Sequence, residues 1–197
     1  MYARNLSSLD SSSVWDFIYR SVAARVEDER FALKSLPSLL RAAGWDEPCV
    51  AGVESTVRSK GIGVTGWSLG GATAFAALET ERRFSGGINF DGGFYIPEQY
   101  NRTTKKPFKV MLSTGHDFDL DGTLNETSAL LQGYKTFETI NNTTHWSFSD
   151  APIIMDKLHA RETVGEDVVN KWVGKIDGME MIENLVRSVE DLVEKQM

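Results

Sequence analysis

Gly66-Trp67-Ser68-Leu69-Gly70 sets a serine between two glycines, each two positions away. Where such a pentapeptide joins a strand to a helix, the turn is tight and strained, and the serine hydroxyl is aimed out of the sheet. The flanking residues suit that context. Gly61-Ile62-Gly63-Val64-Thr65-Gly66 reads as a short buried strand, and residues 69–80, with Ala72, Ala74, Ala76 and Ala77, as a helix whose small side chains permit close packing. A helix N-terminus beneath the serine would point the Leu69 N–H and a favourable dipole at a developing oxyanion. The chemistry implied is nucleophilic attack on an acyl carbon.

A serine needs a histidine to take its proton and a carboxylate to orient that histidine. The chain has three histidines, His116, His145 and His159. On a strand-turn-helix elbow the chain order is serine, acid, histidine, with the histidine on a loop after the last strand. His145 fits that place. His159 stands at the end of a predicted helix among charged residues, which suits a solvated surface role, and His116 precedes the last strand. The acid is open between Asp91, at the end of the strand after the serine's helix, and Asp117 or Asp119, at the end of the next strand. Both places face the crevice at the carboxyl ends of parallel strands, where ligands bind.

These residues depend on elements legible as periodic patterns. Residues 14–43 read as helix, with Val14, Phe17, Ile18, Val22 and Val26 in one stripe, then Phe31, Leu33, Leu36, Leu39 and Leu40; Pro37 is expected to interrupt it and Gly44 to end it. A short helix is expected over 50–59. Strands are expected over 86–90, running into the turn Asp91-Gly92-Gly93, over 108–113 and over 136–140. Residues 114–123 and 141–150 read as loops, and 125–133, 163–173 and 179–196 as helices. In the last, Ile182, Leu185, Val186, Val189, Leu192 and Val193 form a stripe expected to face the core. Strand and helix alternate from residue 61, so the fold class is α/β, a mostly parallel sheet flanked by helices.

The 197 residues carry a net charge of −7, which disfavours nucleic acid or an anionic membrane as main partner. No apolar run reaches the roughly 18 residues of a spanning helix, and the polar start, Met1 to Ser13, shows no signal peptide. The single cysteine, Cys49, excludes an internal disulfide and a cysteine-based zinc site. Five of eight asparagines, Asn5, Asn101, Asn125, Asn141 and Asn142, begin an Asn-x-Ser/Thr sequon, where the Ser/Thr content would give only about one or two by chance. That excess suggests a glycosylated protein of the secretory pathway. Asp117-Phe118-Asp119-Leu120-Asp121-Gly122 resembles the first half of a calcium loop, but the twelfth position is Ser128 rather than glutamate, so a solvated acidic loop is expected. The serine chemistry needs neither metal nor cofactor.

Gly-Trp-Ser-Leu-Gly-Gly-Ala-Thr-Ala (66–74), Gly-Ile-Asn-Phe-Asp-Gly (87–92), Lys-Pro-Phe-Lys-Val-Met (106–111) and Thr-His-Trp-Ser-Phe-Ser-Asp (144–150) together resemble the platelet-activating factor acetylhydrolase family over roughly residues 20–160. The resemblance implies an α/β-hydrolase fold and a calcium-independent lipase that releases short or oxidised acyl chains from phospholipids. It also implies Ser68 as nucleophile, Asp91 as acid and His145 as base, with Leu69 N–H as an oxyanion donor and a small-molecule or lipid ester as substrate. A carboxylesterase or polyester-cleaving hydrolase also carries Gly-Trp-Ser-x-Gly-Gly, and a catalytically silent remnant that binds acyl ligands or a partner chain is the non-enzymatic alternative. Only 67 residues precede Ser68, most of them reading as helix. The earlier strands of such a fold, and the loop that gives a second oxyanion N–H, have no counterpart there. Residues 1–197 are therefore expected to form one incomplete domain, the C-terminal part of the fold, whose sheet has an exposed edge. Its oligomeric state is not set by these patterns.

Overall fold

The computed structural model describes residues 11–196; the sequon at Asn5 and most of the polar start lie outside the described residues. The chain begins with helix α1 (Ser11–Ala42) and helix α2 (Glu47–Lys60), the latter capped by the Asp46 carboxylate on the Cys49 N–H. Strand and helix then alternate: β1 (Ile62–Trp67), α3 (Leu69–Thr80), β2 (Phe84–Phe90), β3 (Phe108–Leu112), α4 (Gly122–Leu130) and β4 (Lys135–Thr139). Helices α5 (Ala151–Lys157), α6 (Glu166–Val173) and α7 (Gly178–Gln196) close the chain.

Among the described residues the sheet has four strands, all parallel, in the order β1-β2-β3-β4. This is the α/β architecture expected, with β1 at one edge paired only to β2. The alternation of side chains along β3 divides the core. Phe108, Val110 and Leu112 join α1 and α3 in one apolar cluster with Phe75, Leu78 and Phe94. Met111 points the other way, to a second cluster with Ile88, Ile140, Phe148, Ile176, Met181 and Leu192. Lys109 shares that second face, where its buried ammonium is paired with Glu138 at 2.9 Å and Asp191 of α7 at 3.1 Å. Helix α3 needs no polar face, because α1 covers the side turned away from the sheet: residues from Gly71 to Leu78 are all buried.

Several expectations are corrected. Pro37 does not interrupt α1, which runs on to Ala42. A proline inside a helix costs about 3 kcal/mol or more, and Leu33 and Leu36, in the turn that leads into it, pack against the core and offset that cost. Only part of the α1 stripe is buried. Val22 and Val26 are inside, whereas Phe17 and Phe31 are 69% and 71% exposed because they fall on the opposite side of the helix. In α7 the inward line is Met181, the half-buried Leu185, Ser188 and Leu192, a spacing of three and four, while Val186, Val189 and Val193 stand outside it and are exposed. Helix α4 starts earlier than expected because the Asp121 side chain caps the Thr123 N–H. The span 163–173 is divided: a wide turn over Arg161–Gly165 meets α6 at Gly165, whose φ of +112° ends the turn. Residues 145–148, read as loop, form one 3-10 turn, and the helix expected before His159 is α5, which ends at Lys157.

The first core predicts a measurable cost. Phe75 is 1% exposed and meets Phe94 and Phe108 edge to face at 5.7 and 5.6 Å. Phe75→Ala should lower unfolding free energy by about 3–5 kcal/mol in denaturant titrations.

Candidate active site

The carboxyl ends of all four strands converge on one opening, as expected for a parallel sheet. Ser68 follows β1, Asp91 follows β2, the segment Ser113 to His116 follows β3, and His145 lies in the turn after β4. The ladder continues one residue past the strands: Ser68 N–H donates to Phe90 O at 2.9 Å, and Asp91 N–H to Met111 O at 2.7 Å. The serine and the acid are therefore fixed by neighbouring backbones rather than by free loops.

Ser68 has φ 57° and ψ −126°, a conformation that costs a non-glycine residue on the order of 1–3 kcal/mol and persists only where surroundings enforce it. The enforcement is steric. A Cβ on Gly66 would lie 2.0 Å from Gly70 O, and one on Gly71 would lie 1.9 Å from Asn89 Oδ1. Gly70, the motif's final glycine, has open space where its Cβ would stand. The close approach thus falls on Gly66 and Gly71, not on the two glycines of the pentapeptide equally. Leu69 is the first residue of α3, so its N–H has no acceptor within the helix and lines the opening beside Ser68.

Ser68, His145 and Asp91 form one hydrogen-bonded line. His145 Nε2 is 3.0 Å from Ser68 Oγ, and His145 Nδ1 is 2.8 Å from Asp91 Oδ2. With the Nδ1 proton donated to the carboxylate, Nε2 is free to accept from the serine. Asp117 and Asp119, the other acids considered, are elsewhere: Asp117 Oδ1 accepts the N–H groups of Asp119 and Leu120 within its own turn. His159 is remote and exposed, at φ +50° beyond α5. Among the described residues no group of three or more His, Cys, Asp or Glu side chains is placed to hold a metal ion.

Other residues hold this line in place. The Trp67 indole N–H donates to His145 O at 3.0 Å, and its ring lies 5.1 Å from the imidazole. Ser147 accepts the Thr144 N–H and donates to Val173 O, tying the His145 turn to the end of α6. Phe148 stacks on Phe90 in the second core. On the acid side, Asn89 is fully buried and bridges both backbone groups of Gly92 at 2.8 Å, which sets the turn that presents Asp91 at φ +55°.

His116 was weighed above only as a base, and Asp121 only as part of an acidic loop. The structure instead places His116 Nδ1 2.8 Å from Asp91 Oδ1 and His116 Nε2 3.0 Å from Asp121 Oδ2. Asp91 Oδ1 also accepts the Ser113 N–H at 2.6 Å. Burial pushes the Asp91 carboxyl up, but hydrogen bonds from His116, His145 and Ser113 outweigh it and hold it well below the ordinary range. The bond to Asp91, opposed by burial and reinforced by Asp121, raises His116 to about 9. No spacing rule flags this pair; the only sequence signal is a histidine and acids clustered at a strand's carboxyl end. The opening above the line has a volume of about 500 Å³ and is bordered by Leu69, Tyr95, Thr114 and Gly115 as well.

A sequence model of the family described as platelet-activating factor acetylhydrolase, isoform II, matches residues 50–196. The chain is also similar to an Arthroderma benhamiae protein named probable 1-alkyl-2-acetylglycerophosphocholine esterase, with 27% identity over 139 residues, 66% of this chain and 36% of that protein. A solved ferulic acid esterase from Streptomyces cinnamoneus superposes with a TM-score of 0.65 over 90% of this chain and 48% of its own, at 20% identity. That likeness places the four strands and their helices in an α/β-hydrolase fold. The chain spans about a third of the length of the curated relative and about half of the solved one.

The raised His116 has a consequence for stability. Its two ion pairs contribute fully below its unfolded value of about 6.5, and that contribution is lost as pH rises through about 9. The denaturation midpoint should therefore fall between pH 6.5 and 9 in the native chain more than in His116→Gln, and the two curves should converge at the alkaline end.

Proposed function

Because the chain belongs to the platelet-activating factor acetylhydrolase, isoform II, family, we propose that it cleaves carboxylic esters by nucleophilic attack of Ser68. The observation that carries this reading is the line Ser68–His145–Asp91 at 3.0 and 2.8 Å, built on a serine in a strained elbow. His145 Nε2 takes the proton as Ser68 Oγ adds to the ester carbonyl. Asp91 keeps the imidazole in the tautomer whose Nε2 is unprotonated and stabilises the imidazolium that forms. The Leu69 N–H, at the head of α3, donates to the tetrahedral oxyanion. His145 then protonates the departing alcohol, and the acyl-enzyme is released by a water that His145 deprotonates in turn.

The ester class follows the curated relative, a 1-alkyl-2-acetylglycerophosphocholine esterase by name, so the proposed substrate is a glycerophospholipid with a short acyl chain. The wide opening above Ser68 is compatible with a bulky alcohol portion. The chain is further proposed to be a glycoprotein of the secretory pathway, since Asn101, Asn125, Asn141 and Asn142 are all exposed.

A fluorophosphonate probe labels only an activated serine, and it should label this chain at Ser68. Labelling should vanish in Ser68→Ala and His145→Ala, turnover should fall about 10⁴-fold in Asp91→Asn, and Asp117→Asn should behave as the native chain. An unlabelled native chain would point instead to a silent acyl-binding remnant. Hydrolysis of a water-soluble short-chain ester without release of acetate from the 2-acetyl phospholipid would favour a general carboxylesterase. Expression through a eukaryotic secretory pathway should yield a product whose mass drops on endoglycosidase treatment; an unchanged mass would refute the glycoprotein reading.

A further inference from the structure

Asp91 is met by an imidazole on each oxygen. His145 binds Oδ2 and His116 binds Oδ1, each at 2.8 Å, while the carboxylate itself is 1% exposed. The far nitrogen of His116 meets a second carboxylate, Asp121, whose other oxygen accepts the Thr123 N–H and hydroxyl at 2.9 and 2.6 Å. The Thr123 hydroxyl in turn accepts the Phe94 N–H at 2.8 Å. Both nitrogens of His116 therefore face oxygens that can only accept while ionised. A ring protonated on both sides satisfies both contacts, whereas a neutral ring would set a lone pair against a carboxylate.

The groups around it come from every neighbouring element. Asp91 lies at the end of β2 and Asp121 at the cap of α4. Tyr95 lies on the loop after β2, with its phenol raised by burial and by the Asp121 charge. His145, after β4, reaches His116 only through Asp91. Two carboxylates thus share one cation at this point, with the proposed base beyond the first of them.

We propose that His116 is a positioning residue of the ester-cleaving site, an imidazolium wedged between Asp91 and Asp121 that fixes the Asp91 carboxylate toward His145 and offsets its charge. This rests on the catalytic reading above only for its effect on turnover. The electrostatics are simple. A buried carboxylate with no cation on its far oxygen holds a neighbouring imidazolium tightly, and a base held in that form cannot accept the serine proton. With Oδ1 occupied by a cation and by the Ser113 N–H, Asp91 still orients His145 but exerts less net charge on it, and it is held against rotation.

Three histidines in the chain make the test clean. With ring ¹⁵N-labelled histidine, both nitrogens of His116 should remain protonated in NMR spectra to about pH 9, with exposed His159 as internal reference. In His116→Gln, which can still donate to Asp91 but carries no charge, the acidic limb of kcat/KM for a short-chain ester should shift to higher pH, with KM unchanged. Asp121→Asn should lower the pH at which His116 gives up its second proton and shift the same limb, and it serves if His116→Gln does not fold. A neutral His116 at pH 7, or an acidic limb that stays in place in both variants, would overturn the proposal. The NMR reading of His116 needs no turnover, so a chain that hydrolyses no ester would count against the catalytic reading while the His116 protonation state still decides this one.

Discussion

An ionised carboxylate withdrawn from water costs several kcal/mol unless its lone pairs are met by well-placed donors. Asp91 is withdrawn almost completely, and three donors converge on its carboxylate: the Ser113 N–H, His116 and His145. They stand beyond the ends of β3 and β4, while the carboxylate itself stands at the end of β2. The carboxylate is therefore the point at which those three strand ends are tied to one another, and His145 extends the tie to Ser68 at the end of β1. Displacing β3 or β4 by a residue would leave a buried charge short of a donor. The sheet register and the site geometry are the same constraint seen from two sides.

Close approach between backbones supplies the other half of the arrangement. Gly66 lets β1 turn against Gly70, and Gly71 lets α3 rest on Asn89. Asn89 in turn holds Gly92, and so the turn that carries Asp91. The Ser68 elbow and the Asp91 turn are thus mechanically linked through one buried amide, which accounts for a fully buried asparagine near the carboxyl end of β2. The strain at Ser68 is held by packing on all sides of α3, whose covering by α1 leaves it no exposed face along Gly71 to Leu78.

The periodic elements were largely readable. Helix 69–80, the strands near 86–90, 108–113 and 136–140, and the terminal helix are all present, displaced by one or two residues at most ends. The departures share a cause, in that side-chain patterns say which residues are apolar but not which partner is available to cover them. Phe17 and Phe31 of α1, and Val186, Val189 and Val193 of α7, are as apolar as their buried neighbours yet face outward. The helix α4 boundary moved because the Asp121 cap is a local hydrogen bond that no hydrophobic period records. Pro37 was tolerated because tertiary packing outweighed a local penalty.

Within the site, local and non-local information separate cleanly. Gly66 to Gly70 announced an elbow because the backbone geometry of that turn is set by adjacent residues, and a place on a loop after the last expected strand favoured His145. The choice between Asp91 and Asp117 lay beyond the reach of spacing, since both stand at carboxyl ends of neighbouring strands. It turns on where the ends of β2 and β3 come to lie relative to His145, which Asp91 meets while Asp117 bonds within its own turn. His116 and Asp121 were visible as residue types but not as a clamp, for their contact depends on a β3 loop folding back across the end of β2. The sequence by itself determined the Gly66 to Gly70 elbow and its strand-turn-helix setting, because those are short-range properties of the chain. The tertiary structure alone decided which charges share a carboxylate, because that depends on where four distant strand ends come to rest.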